Sequence, residues 1–417
     1  MSRTSLRLAA LVGGLAIATA ACSSNANTGA GTPSTPASAD SSASTPAGVV
    51  GAAATKTDAA ALRAGLTYLL EEHVYLAGTA TGTAIANKGD LTKPAVKQAV
   101  MALDANSVAL SKALGAAYPA AEAPFLASWR QHIGFFVNYT LGKATKNAAM
   151  VAKAKSDLDG YRTNFGQLIN SVVPELPADA VANELKPHVA SLFAAIDAQV
   201  AGDPQQFALL ATAAGHMPGT AAILAKGIAA NKKLGASDDD AAGLRAGLTS
   251  LLTEHVYLAG IAISQAVTDG GNLKAPKTAA AVAALDGNSV ALSKALGGVY
   301  PAAEAPFLAS SRQYIGFFVN YTLGKATKNA SMVGKATKDL DGYRTNFGQL
   351  INSVVPELPA DAVAAELTPH VASLFAAIDA VVAGSPTAVP LLKDAASHMP
   401  GTAAILAGGI AENKKLG

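Results

Sequence analysis

The heptapeptide EHVYLAG occupies residues 72–78 and returns unchanged at residues 254–260. The same separation of 182 residues links Leu62 to Leu244, Asn106 to Asn288, Tyr161 to Tyr343, His188 to His370 and His216 to His398, with no gap. Identity at one constant offset over so long a span marks tandem duplication of a whole globular segment. The junction is KLGASDDDAAG, residues 233–243. The boundaries read as 58–235 for a first helical domain, 236–243 for a linker and 244–417 for a second domain.

Within one copy, apolar residues fall at helical spacing around three histidines. They are Leu62, Leu66, Leu69, His73 and Leu76; then Phe125, Trp129, His132, Phe136 and Tyr139; then Val181, Leu185, His188, Leu192 and Ile196. Each series predicts a helix with its histidine on the buried stripe. Turn signals follow in NKGD (87–90), TKN (145–147) and AGDP (201–204), and each predicts a returning helix. A copy therefore reads as three helical hairpins, the last return being interrupted at HMPG (216–219) because Pro218 disrupts helical hydrogen bonding. No segment alternates with period two, so the expected fold is all-α: two tandem homologous helical-bundle domains.

The first residues carry an export pattern. Arg3 and Arg7 precede a short apolar stretch that ends in LAIATAAC, and Cys22 is the single cysteine of the 417 residues. Residues 1–21 read as a signal peptide and Cys22 as a lipidation site that anchors the chain to a membrane outside the cytoplasm. Residues 22–57 read as a lipidated Cys followed by a disordered tether of Ser, Thr, Ala and Pro, about 35 residues reaching on the order of 30 Å. No uninterrupted run of about 18 apolar residues remains after cleavage, so no transmembrane helix is expected.

The 31 Lys and Arg residues include the two of the leader, which holds no acid, so the mature chain balances its 29 Asp and Glu. With no basic block and one Trp, nucleic acid is excluded as an expected partner. The chain lacks HExxH, GxSxG and a phosphate loop, and its one thiol is assigned to the anchor; binding rather than catalysis is expected.

All seven histidines occupy repeated places: His73 with His255, His188 with His370, His216 with His398, and His132 with Tyr314 as its counterpart. Imidazoles on facing helices can converge on one ion, and the thioethers of Met217 and Met399 would favour a transition metal such as copper. Glu72, Glu254, Tyr161, Tyr343 and Tyr314 are supporting residues in that reading. The competing reading makes each histidine a buried hydrogen-bond post in a structural or partner-binding envelope scaffold. A third places an apolar ligand between helices, lined by Phe135, Phe136 and Leu141. The changes from Trp129 to Ser311 and from His132 to Tyr314 lie one helical turn apart and give the two copies different surfaces or pockets at one place.

EHVYLA, WRQHIGFFV, LDGYRTNF and the terminal HM together resemble an uncharacterised family of exported bacterial helical proteins. Some relatives in that family are joined to a domain named after the N-terminal region of copper amine oxidases. The resemblance covers both copies and implies a shared helical fold with the same histidine positions. Asn138 and Asn320 depart from the family, where Asp is usual, as do Ser311 and Tyr314.

Overall fold

The computed structural model describes residues 53–416, and these form fourteen α-helices and no strand. The first copy contains α1 (Asp58–Ala86), α2 (Pro94–Ala117), α3 (Glu122–Ala144), α4 (Ala148–Val172), α5 (Ala178–Ala201), α6 (Gln206–Ala214) and α7 (Met217–Lys232). The second repeats the order as α8 (Asp240–Thr268), α9 (Pro276–Val299), α10 (Glu304–Ala326), α11 (Ala330–Val354), α12 (Ala360–Val382), α13 (Ala388–Ser397) and α14 (Met399–Lys414). The hairpin turns fall at the three expected places in each copy. The interrupted return also forms: Gly215 and His216 separate α6 from α7, and Pro218 sits in the first turn of α7, where its missing N–H costs nothing.

Local chemistry sets the helix ends. Thr57 Oγ1 accepts from Ala60 N at 3.1 Å to cap α1, and Asp239 accepts from Ala242 N at 2.7 Å to cap α8. Asn147 and Asn329 cap α4 and α11 in the same way. The last residues of the stretch read as tether, Ala53–Lys56, instead form a 3-10 turn, with Thr55 buried against the bundle. Arg245 Nη1 donates to Thr55 O at 2.8 Å, and the equivalent Arg63 Nη1 donates to Ser237 O at 2.9 Å.

In each copy the hairpins pack side by side, and the last helix returns to the first, so α7 lies on α1 and α14 on α8. The two copies meet along α1 and α8. Periodicity predicts a single buried stripe on α1, yet every residue from Leu70 to Gly78 is buried. The reason is tertiary: α2, α5 and α7 cover one side of α1, and α8 of the other copy covers the rest. Gly78 ends the heptapeptide because the Leu210 side chain of α6 lies where a Cβ would project, as Leu392 of α13 does at Gly260.

Among the described residues three helical stretches are long and apolar enough to cross a bilayer by length and composition: Gln206–Lys232, Asp240–Thr268 and Ala360–Val382. A count of uninterrupted apolar residues misses them, because Thr, Ser, Gln or Gly breaks each run while mean hydropathy stays high. In the fold, 61% of the Asp240–Thr268 window is buried inside the protein.

Candidate functional site

The heptapeptide divides its side chains between two environments. Glu72 and Tyr75 face the α1–α8 seam, whereas His73 enters its own bundle. At the seam the Tyr75 and Tyr257 rings stack at 5.4 Å with 3° between planes. Each hydroxyl crosses to the other copy: Tyr75 donates to Glu254 Oε1 at 2.8 Å and Tyr257 to Glu72 Oε1 at 3.0 Å. Asn106 and Asn288 donate to the same two carboxylates at 2.8 and 2.9 Å, and each also donates to a carbonyl of its own first helix, Leu69 O or Leu251 O. These contacts follow an approximate twofold relation. Burial, followed by the neighbouring carboxylate, pushes both tyrosine hydroxyls well above their ordinary range.

The relation then breaks. Glu72 has two further partners, Tyr68 Oη at 2.7 Å and Lys393 Nζ at 3.0 Å. The positions equivalent to Tyr68 and Lys393 are Ser250 and Ala211. Glu71 is 1% exposed and its Oε2 has no hydrogen-bond partner. Burial first, and the charge of Glu254 second, push its carboxyl well above the usual carboxylate range, partly offset by Ser250. The counterpart of Glu71 is Thr253.

In the first bundle His73 Nε2 lies 3.2 Å from His132 Nε2. Trp129 Nε1 donates to His73 Nδ1 at 3.4 Å, which assigns the His73 proton to Nε2 and makes His132 Nε2 the acceptor. His132 also stacks on Tyr161 at 5.1 Å. Burial lowers His73 to about 3 and His188 to about 4, and holds His132 well below its ordinary value, so all three are neutral near neutral pH. These residues, with Tyr161 and Met217, line a cavity of about 50 Å³. Phe136 lines it as well; Phe135 and Leu141 do not.

The same place in the second bundle is a cavity of about 540 Å³. His255, Tyr314, Tyr343, His370 and Met399 line it, at positions equivalent to the first set. The decisive change is at its wall. Trp129 fills the first bundle, stacking on Phe125 at 5.2 Å and meeting His132 edge-on at 4.5 Å. Ser311 fills far less, and its Oγ donates to Ser289 Oγ at 3.1 Å. His255 Nδ1 contacts Asn288 Oδ1 at 3.1 Å, His370 Nδ1 lies 3.4 Å from Ala395 O, and burial lowers both rings, His370 to about 4.

The expected ligands are brought together only in part. His73 and His132 meet, and His188 and Met217 share their cavity; His216 and His398 sit half-buried at the helix breaks and line neither cavity. Glu72 and Glu254 belong to the seam. Among the described residues no group of three or more His, Cys, Asp or Glu side chains is placed to hold a metal ion. Arg130 and Arg312 make paired hydrogen bonds to Asp104 and Asp286 at 2.7 and 2.8 Å. Cys22 lies outside the described residues. Lys393, Glu71 and the crossing tyrosines escaped the sequence reading; the exchange of Lys393 for Ala211 and of Glu71 for Thr253 at the 182-residue offset was the available signal. No family model, curated protein or solved structure matches the chain.

Proposed function

We propose that this chain is a lipid-anchored, extracytoplasmic binding module whose ligand is an apolar small molecule held in the second bundle. The leader, Cys22 and the polar stretch after it support the address. The observation that carries the activity is the 540 Å³ cavity beside Ser311, against 50 Å³ beside Trp129 at the equivalent place. A volume of that order matches ordinary small-ligand pockets. Its lining along α8 is mostly leucine and glycine between Asp240 and His255, and Ser311, Tyr314, Tyr343, His370 and Thr402 add the polar groups that would orient a ligand. On this reading the first bundle is the packed, structural copy.

The test is a fluorescent naphthylamine dye titrated into the purified protein. Wild type should bind one dye per chain, Ser311→Trp should weaken it by at least about tenfold, or roughly 1.4 kcal/mol, and Trp129→Ser should add a second site. Equal binding by wild type and a helical, cooperatively melting Ser311→Trp would reject the reading.

A second reading rests on the His73–His132 pair: two neutral imidazoles with Nε2 atoms 3.2 Å apart and Met217 lining the same cavity would suit a transition metal such as copper if the ion displaced the proton on His73 Nε2 to Nδ1, at the cost of the Trp129 hydrogen bond. Chelator-stripped protein offered copper, zinc or iron should then retain one ion per chain, in the first copy only, and lose it with His73→Ala. No retention by folded protein rejects this reading and leaves the apolar one standing.

A further inference from the structure

The seam repeats its contacts about an approximate twofold axis, so each half serves as a control for the other. On one half, Lys393 of α13, a helix that packs on α2, places Nζ 3.0 Å from Glu72 Oε2. Glu72 is fully buried, and an unpaired carboxylate there would carry a heavy desolvation cost. The ammonium answers that charge.

On the other half α6 lies on α9 as α13 lies on α2, but nothing equivalent to the ammonium is present. Four equivalent positions are shortened together. Pro390, Lys393, Gln98 and Met101 on the first half correspond to Ala208, Ala211, Ala280 and Ala283 on the second. All four alanines line one cleft of about 620 Å³, and Glu254 and Asn288 line it too. Glu254 is half-buried, and Tyr75 and Asn288, which donate to it, are neutral. Among the described residues no cation pairs with it. The neighbouring Glu71 adds a second buried carboxyl and no cation, and burial first and Glu254 second push it well above the usual carboxylate range.

We propose that the cleft between α6 and α9 binds a linear aliphatic amine, its ammonium on Glu254 as Lys393 lies on Glu72 and its methylenes along the alanine walls. The alanine walls offer apolar contact, and Glu254 supplies the anionic end at the position equivalent to Glu72, less deeply buried than its counterpart and open to the cleft. A carboxylate that keeps two neutral donors and lacks a cation has the polarity for a primary ammonium. An alcohol of the same length could not supply the charge. This site is separate from the cavity at Ser311 and stands or falls independently of it.

Pentane-1,5-diamine, titrated into the full chain and followed by calorimetry and by the shift in melting temperature, tests the site, with pentan-1-ol as the uncharged control. Wild type should bind the diamine in the millimolar range or tighter and ignore the alcohol. Ala211→Lys supplies the ammonium from within, so it should raise the melting temperature and weaken diamine binding by at least about tenfold. Glu254→Gln should weaken it equally while keeping the shape of the cleft. Diamine binding that is absent in wild type, or unchanged in both variants, would overturn the proposal; the two variants act independently, so misfolding of one leaves the other decisive.

Discussion

Glu71 is a buried carboxyl that the second copy lacks, because Thr253 takes its place. Its ordinary carboxyl value is 4.5, and burial raises it well above that in the folded chain. Between those two values folding takes up a proton, so this residue's contribution falls as pH rises. Glu71→Gln removes the uptake. The variant should gain on wild type by up to about 1.4 kcal/mol per pH unit above that ordinary value, until the folded carboxyl itself ionises. Urea midpoints at pH 5 and pH 8 measure it, and parallel profiles for the two proteins would show that Glu71 is not the source. The buried histidines act in the opposite direction: His73 and His188, lowered to about 3 and about 4, bind fewer protons folded than unfolded, so their stability is lost as pH falls below about 6.5. None of this was legible from the residue pair Glu71–Glu72 alone. Adjacent positions on a helix point about 100° apart, and the partner of each is decided by what covers that side.

Among the elements, the hairpin turns and the break before α7 were legible, because turn residues such as those of TKN and the proline at 218 act locally; the caps Thr57 and Asp239, on which the sequence reading did not draw, fix the starts of α1 and α8. The closeness of the helices was not. Gly166 in α4 lies so near the start of α5 that a Cβ would collide with the Ala178 carbonyl, and Gly348 stands in the same relation to Ala360. Backbone yields less readily than a side chain. Gly166→Ala and Gly348→Ala should therefore each destabilise the protein by about 1–3 kcal/mol, despite the better helix propensity of alanine, and thermal melts will show it. A neutral or stabilising result would mean that the α4–α5 turn can shift.

At the level of the whole molecule the duplication is what the copies share, and function is argued from where they differ. An all-α fold, three hairpins along each stretch of the 182-residue offset and the burial of His73, His132 and His188 follow from the chain itself, since periodicity and turn residues act over a few residues. The offset also exposes the exchanges of Trp129 for Ser311 and Lys393 for Ala211. Their consequences depend on contacts between residues far apart in sequence. Only the tertiary structure turns EHVYLAG into a seam, sending Tyr75 across to Glu254 and Tyr257 to Glu72. Only it decides that removing an indole leaves a cavity beside His255, and that losing one lysine leaves a carboxylate without its cation. The pattern along a helix tells which side chains share a face, whereas the volume and charge opposite that face are set by helices brought there from elsewhere in the chain.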